Sequence, residues 1–391
     1  MRKSGFAAAM LLLLLSFGQG VCEAPAGSFR NAAVYVNGSF YDGAPFYQTG
    51  EGTLYVPLGD VSSRVGFAEP IVEDGFIVWQ DFWMNEESED FFFDGDTLYA
   101  NIALLEDAGL EIRKGNLWEA SILWISEPGK FEGDWAEGTR FIAHAMGAIN
   151  GIDYTNSLEA FYENYANGFT VFEIDLRMSA DGIPVVVHEW PQFAESVGIK
   201  PKEFSVPTLE AFKAMRILGE YTPLSFEDVA RLMKQHPDMR IVTDTKSVDP
   251  GRVRTMFAAL REIAKKVDPE ILGRIIPQVY NNEMLDVVEE IYPWNSIIYT
   301  MYTLPYTTSI PEAFRYGYQH GVRIFTAPTN AIGTELESLV RISGCKLYLH
   351  TINDWEYYRA MVAAGHLWGV YTDTLTPFSM DGVEDWVEET P

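Results

Sequence analysis

The sequence predicts an α/β fold: an eight-stranded (β/α)8 TIM barrel preceded by a small N-terminal domain that is mostly β with some α. Three observations predict it. From about residue 136 onward, short apolar runs of strand type alternate with longer stretches of helical period, the pattern of parallel βα units. A barrel of this kind occupies about 250 residues, so a chain of 391 has room for one barrel and one small domain. Lastly, the histidines and carboxylates cluster where these strand runs end, and that is the end at which such barrels place their chemistry.

The chain opens with Met1-Arg2-Lys3 and an apolar run through Leu15, the layout of a secretory signal peptide over residues 1–26. Ala24-Pro25-Ala26 offers a small-x-small cleavage site. Cys22 lacks the small residue that a lipid-anchored start prefers before it, so a secreted or envelope location without a lipoprotein anchor is expected. Cleavage after Ala26 leaves Cys345 as the remaining cysteine, which excludes an intramolecular disulfide. No later stretch approaches the ~20 apolar residues of a membrane helix.

Residues 30–128 read as hairpin strands around one or two short helices, such as one from Leu58 to Val65. Val36-Asn37-Gly38 and Leu54-Tyr55-Val56-Pro57-Leu58 leading to Val65-Gly66, with a weaker echo from Thr97 to Gly109, resemble the copper amine oxidase N-terminal-like module of exported bacterial proteins. That resemblance implies an accessory envelope domain with a cell-wall association. It does not imply copper, because no His precedes His144. Residues 127–137, rich in Gly, Pro and acidic side chains, read as a linker to a barrel over 136–380.

Strand runs begin at Phe141, Thr170, Pro184, Arg240, Arg274, Ser296, Arg323, Lys346 and Trp368. Between the second and third stand only the residues Ser179-Ala180-Asp181-Gly182-Ile183. A parallel crossover needs a dozen or more residues, so these two runs must form a hairpin, and eight barrel strands remain.

Net charge constrains the ligand. At −28 the chain repels nucleic acid and anionic membrane surfaces, which are bound through Lys and Arg. A phosphate diester would need a divalent cation to reverse the local sign of an acidic pocket.

Alternation in Val171-Phe172-Glu173-Ile174-Asp175-Leu176-Arg177 puts Glu173 and Asp175 on one face. Two such carboxylates either share a cation or pair with Arg177. His144 ends the first run and His188 the hairpin strand. Each taken alone could be a hydrogen-bonded structural residue, but together they flank the carboxylate pair. Breaking a phosphodiester needs a base for the attacking oxygen and an acid for the leaving alcohol, and imidazoles suit both tasks. Asp244 and Lys246 share a face of the Arg240 run, as a further oxygen ligand and a point charge for phosphate or as an internal ion pair. Trp190, Phe193 and the stretch to Tyr221 follow His188, where they either cover the pocket and select the alcohol or simply pack the loop.

At this point the sequence resembles the glycerophosphodiester phosphodiesterase family. His144-Ala145-Met146-Gly147 with Asn156-Ser157-Leu158 looks like the family's His-Arg-Gly and Asn-Thr-Leu elements. Glu173-Ile174-Asp175, Asp181-Gly182 and Val187-His188-Glu189 are similar to its Glu-x-Asp, Asp-Gly and His-Asp elements, in the same order. Asp244-Thr245-Lys246 stands for Glu-x-Lys, and Pro277-Gln278, His350-Thr351-Ile352-Asn353 and Gly369-Val370-Tyr371-Thr372-Asp373 fit the closing elements.

The resemblance implies that Glu173, Asp175 and Asp244 hold a divalent cation, Ca2+ or Mg2+, while His144 and His188 act as acid and base and Lys246 holds the phosphate. Glycerol phosphate and an alcohol would be the products, from a small phosphodiester or a glycerol phosphate polymer of the envelope. Three departures stand out: Ala145 replaces the Arg after the first His, Tyr154-Thr155 replaces Pro-Glu, and Asp244 is shorter than Glu. A phosphate-binding guanidinium is then either absent or supplied by another residue, Arg177 being one source. Cyclising phospholipase D-like chemistry and non-catalytic envelope binding on a decayed barrel are the other expectations.

Overall fold

A computed structural model of the chain describes residues 32–380, apart from 74, 118–119, 132 and 303–308. The leader expected at 1–26, with Cys22, lies outside the described residues. Those residues form two compact units, Asp42–Gly109 and Ala32–Tyr41 together with Leu110 onward.

The barrel strands are β1 (Phe141–Ala143), β2 (Val171–Met178), β4 (Arg240–Asp244), β5 (Ile275–Val279), β6 (Ile298–Thr300), β7 (Ile324–Pro328), β8 (Lys346–His350) and β9 (Gly369–Thr372). β3 (Pro184–Val186) is antiparallel to the end of β2, with Leu176 opposite Val186. The order β1-β9-β8-β7-β6-β5-β4-β2 closes through β1 on β2, and every neighbouring pair in it is parallel. The hairpin expected between the second and third runs is present, because Ser179 accepts from Ile183 N through its Oγ at 3.0 Å and Gly182 takes a positive φ of 76° in the turn.

Strand periodicity explains how one ring carries both a core and a site. Ile142, Val171, Val242, Ile276, Ile298, Ile324, Tyr348 and Tyr371 make one buried apolar cluster, one residue from each strand. Intervening residues such as Phe172, Ile174, Phe325 and Leu349 belong to the larger core under the helices. Positions two residues further on share the inner face, and there the chemistry changes from apolar to His144, Glu173, Asp244, Gln278, Thr300, Thr326 and His350. The carboxyl ends of the strands are therefore polar by the same alternation that fills the opposite end with Val, Ile and Tyr.

The segment expected as a linker behaves differently. Asp134–Glu137 is a short helix, and Trp135 is buried in the inner apolar cluster, stacked on Tyr348 at 6.1 Å and donating from Nε1 to Ser296 Oγ at 2.9 Å. Gly and acidic residues make the segment look solvated, but one buried Trp ring turns it into a plug.

Helix starts follow local side chains. Ser225 and Asp228 form a reciprocal capping box for Phe226–Gln235, and Ser309 with Glu312 does the same for Ile310–Gln319. Asp249 caps the long helix Pro250–Val267, whose Pro at the first turn needs no N–H partner.

Ahead of the barrel, Ala32–Val36, Ser39–Phe40, Glu111–Leu117 and Ala120–Ser126 build a four-stranded sheet in which the first of these pairs in parallel with the last. Trp124 Nε1 from this sheet donates to Tyr318 Oη at 2.8 Å on the Ile310–Gln319 helix. The stretch 30–128, read as one accessory domain, is thus shared between the two compact units. The unit Asp42–Gly109 holds two small antiparallel sheets and the helix Leu58–Arg64, with Val56, Val61, Trp79 and Tyr99 among its buried residues.

Candidate active site

Strand register brings the acidic residues together. Asp175 on β2 lies directly opposite Asp244 on β4, and Glu173 sits one inward position below Asp175. Oxygens of Glu173, Asp175 and Asp244 all lie within 4.8 Å of one another. Side by side and out of water, such charges repel each other and lose hydration. Burial, and then Asp175, accordingly push the Glu173 carboxyl up to about 8. Asp244 is also raised, by burial against the pull of Lys246.

Two kinds of group relieve the repulsion. Lys246 Nζ lies 2.8 Å from Asp175 Oδ1 and also contacts Asp244 Oδ2, so the internal ion pair allowed by the sequence is present. Burial works against the ammonium, but Asp244, Asp175 and Glu173 together hold its pKa well above the ordinary lysine value. Neutral donors do the rest: Asn156 Nδ2 donates to Asp175 Oδ2 at 2.9 Å, and Ala145 N donates to Glu173 Oε2 at 2.7 Å. Glu173 Oε1 remains buried with no hydrogen-bond partner among the described residues. An orphaned carboxylate oxygen inside a cluster of three acids fits a hard cation, which takes oxygen ligands at about 2.0–2.6 Å. Arg177 does not pair with Glu173. Its Nε donates to His188 O at 3.0 Å and its Nη2 contacts Glu189.

His144 ends β1 on a bent segment. Ala145, Met146 and Gly147 all take positive φ, 49°, 69° and 81°, and the bend aims Ala145 N at Glu173. Gly147 is required there, since a Cβ would lie 2.4 Å from Asn164 Nδ2, which ties down the turn by donating to Met146 O and Ala148 O. His144 Nδ1 lies 2.8 Å from Asp373 Oδ1, and its Nε2 is 4.0 Å from Glu173 Oε2. Burial opposes the imidazolium, but the Asp373 hydrogen bond and the Glu173 charge outweigh it and lift the pKa to about 9. Asp373 is itself held by Asn353, which donates to Oδ2 at 2.7 Å and accepts from Asp373 N at 2.7 Å.

His188 follows β3, and its Nδ1 lies 2.8 Å from Gln192 Oε1. An amide oxygen there can only accept, so it favours Nδ1–H as the donor and turns Nε2 to the other side of the ring. Tyr154 contacts both imidazoles, its ring 4.8 Å from His144 and 4.5 Å from His188. Trp190 begins the helix Trp190–Ser196 and packs with Phe193, Phe204 and Phe212, which favours the packing role for these aromatics.

The structure therefore brings together Glu173, Asp175, Asp244, Lys246, His144 and His188, and sets Arg177 and Trp190 to one side. Missed from the sequence were the supports Asp373, Asn353, Asn156 and Gln192, the ring of Tyr154, and His350. The His350 ring lies 6.0 Å from Tyr371, its Nε2 is buried without a partner among the described residues, and burial followed by His144 and Lys246 lowers its pKa to about 4. Asp373, Asn353 and His350 were visible only as members of closing motifs, and Asn156 only as part of the Asn-Thr-Leu-like element.

Comparison with known proteins settles the lineage. The glycerophosphoryl diester phosphodiesterase family matches residues 147–375. The chain belongs to this family. Among solved structures, the phosphodiesterase barrel matches a glycerophosphodiester phosphodiesterase from Parabacteroides distasonis with a TM-score of 0.50 and 18% identity, covering 63% of this chain and 97% of that one. A candidate glycerophosphoryl diester phosphodiesterase from Silicibacter pomeroyi matches with a TM-score of 0.53 and 19% identity over 63% of this chain and 93% of that one. At these identities the likeness shows the shared fold of the phosphodiesterase. No curated protein matches the chain.

Proposed function

We propose that the protein is a dication-dependent hydrolase of glycerophosphodiesters that releases glycerol phosphate and an alcohol. One observation carries the reading: three buried carboxylates converge within 4.8 Å, one oxygen of Glu173 lacks a partner among the described residues, and two histidines contact a shared tyrosine ring.

Glu173, Asp175 and Asp244 would hold the cation, of the Ca2+ or Mg2+ type that oxygen ligands favour. When bound, it supplies positive charge for the phosphoryl oxygens and for the charge that grows on phosphorus in the transition state. The chain's own groups perform the proton transfers. His188, with Nδ1 on Gln192, takes the proton of the attacking oxygen at Nε2. His144, held protonated by Asp373, gives a proton to the departing alcohol oxygen. Asn353 and Asp373 fix the His144 ring, as a carboxylate does for a catalytic imidazole elsewhere. Lys246 presents its ammonium at the edge of the acidic cluster, where it attracts the phosphate without a guanidinium at position 145. Export to the envelope is part of the same proposal, supported by the basic start and apolar run of residues 1–15.

The test is glycerol phosphate release from a panel of glycerophosphodiesters, with and without chelator, for wild type and His144→Ala. Release that disappears with chelator, returns with added cation and falls by about 10²-fold or more in the variant supports the reading. Chelator-resistant release, or full activity in the variant, overturns it.

A further inference from the structure

A cavity of about 730 Å3 opens beside the acidic cluster, between the end of β2, the Trp190 helix and the start of the helix Pro250–Val267. Lys246 borders both spaces. Trp190, Val253 and Met256 form an apolar side, and Arg177, Lys246 and Arg252 bring three positive charges to the rim. That is an unusual concentration in a chain of net charge −28.

The three cations differ in what they have left to offer. Arg177 is engaged by Glu189, and Lys246 by Asp175 and Asp244. Arg252 is exposed, and no ion pair engages its guanidinium among the described residues. Asp249, the one acid on this rim, is committed to the backbone: its Oδ1 accepts from Arg252 N at 2.9 Å as the helix cap. The amino end of an 18-residue helix adds its own partial positive charge on the same side.

We infer that this cavity receives the part of the diester that extends past Lys246 and selects one carrying a second phosphate, with Arg252 as the residue that reads it. The inference rests on the proposed phosphodiesterase reading and narrows its substrate class to phosphate-bearing diesters, such as successive units of a glycerol phosphate chain. A quaternary ammonium would meet the exposed Arg252 guanidinium as a like charge. It would also find the Trp190 ring already packed against Phe204 and Phe212, at 5.9 and 6.2 Å.

The experiment measures kcat/KM of the full chain for glycerophosphoglycerol phosphate and for glycerophosphocholine, in wild type, Arg252→Gln and Arg252→Glu. Wild type is expected to prefer the phosphate-bearing diester. The preference falls by about tenfold in Arg252→Gln, as for loss of one charged hydrogen bond, and further in Arg252→Glu. Turnover of glycerophosphocholine does not fall in Arg252→Gln, and raising the salt concentration lowers the wild-type preference. Cleavage of both diesters with a ratio that ignores position 252 overturns the subsite alone. Failure of wild type to cleave either diester overturns the phosphodiesterase reading and the subsite with it.

Discussion

Replacing Glu173 by Gln should stabilise the cation-free protein at alkaline pH while removing its activity. Glu173 is 2% exposed, and burial with Asp175 moves its carboxyl from 4.5 to about 8. Between those pH values the folded chain carries a proton that the unfolded chain has released. Stability is therefore fully present below about pH 4.5 and is lost as pH rises toward 8. The interval, 8 − 4.5 = 3.5 pH units at about 1.4 kcal/mol each, corresponds to about 5 kcal/mol at pH 8 and above. An amide avoids that cost but must bury its own NH2 beside Asp175, so a net gain of about 2–4 kcal/mol is expected, or about 4–8 °C in Tm at roughly 2 °C per kcal/mol. Thermal unfolding in chelator at pH 8.5 and pH 5 measures it. The gap should be large at the first pH and small at the second, and added cation should close it by stabilising wild type alone. A variant no more stable than wild type at pH 8.5, with a gap that ignores pH, would show that Glu173 is not under electrostatic strain.

Asp373→Asn removes the charge that keeps His144 protonated. The alkaline limb of the kcat/KM profile should move to lower pH and activity at pH 8 should fall by about 10²-fold, read from a pH-rate series. The same change should cost stability mainly below pH 6.5, because a pKa raised from 6.5 to about 9 stabilises the fold there and loses that effect as pH rises through 9. Tyr154→Ala should lower kcat by about tenfold, with Tyr154→Phe near wild type, since contact with both imidazoles is made by the ring. Trp135→Ala should destabilise by about 3–5 kcal/mol in denaturant titration and leave KM unchanged, because the ring plugs the end of the barrel opposite the site.

Much of this architecture was legible along the chain because it depends on periodicity. The starts at Phe141, Pro184, Arg240 and Lys346 coincide with observed strand starts, and the others fall within two residues. The hairpin followed from a connection too short for a crossover. Convergence of Glu173, Asp175 and Asp244 was also readable, since alternation fixes the inward face and equivalent strand ends meet at one rim. What escaped depends on long-range pairing or loop conformation. Asp373 reaches His144 across 229 residues of chain, and Tyr154 reaches both histidines through a positive φ of 55° that no periodicity encodes. Arg177 shares the parity of Glu173 and Asp175, but β2 outruns the barrel there and the side chain turns to Glu189. The plug was hidden because composition is an average, and Trp135 decides the packing of its segment alone.

The most direct test of the central claim is a crystal structure of the protein with Mn2+, read by anomalous scattering. One strong peak should lie about 2.0–2.6 Å from oxygens of Glu173, Asp175 and Asp244, with the Glu173 Oε1 atom among its ligands. Density showing Lys246 as the sole cation among those carboxylates, with any Mn2+ bound elsewhere, would contradict the account.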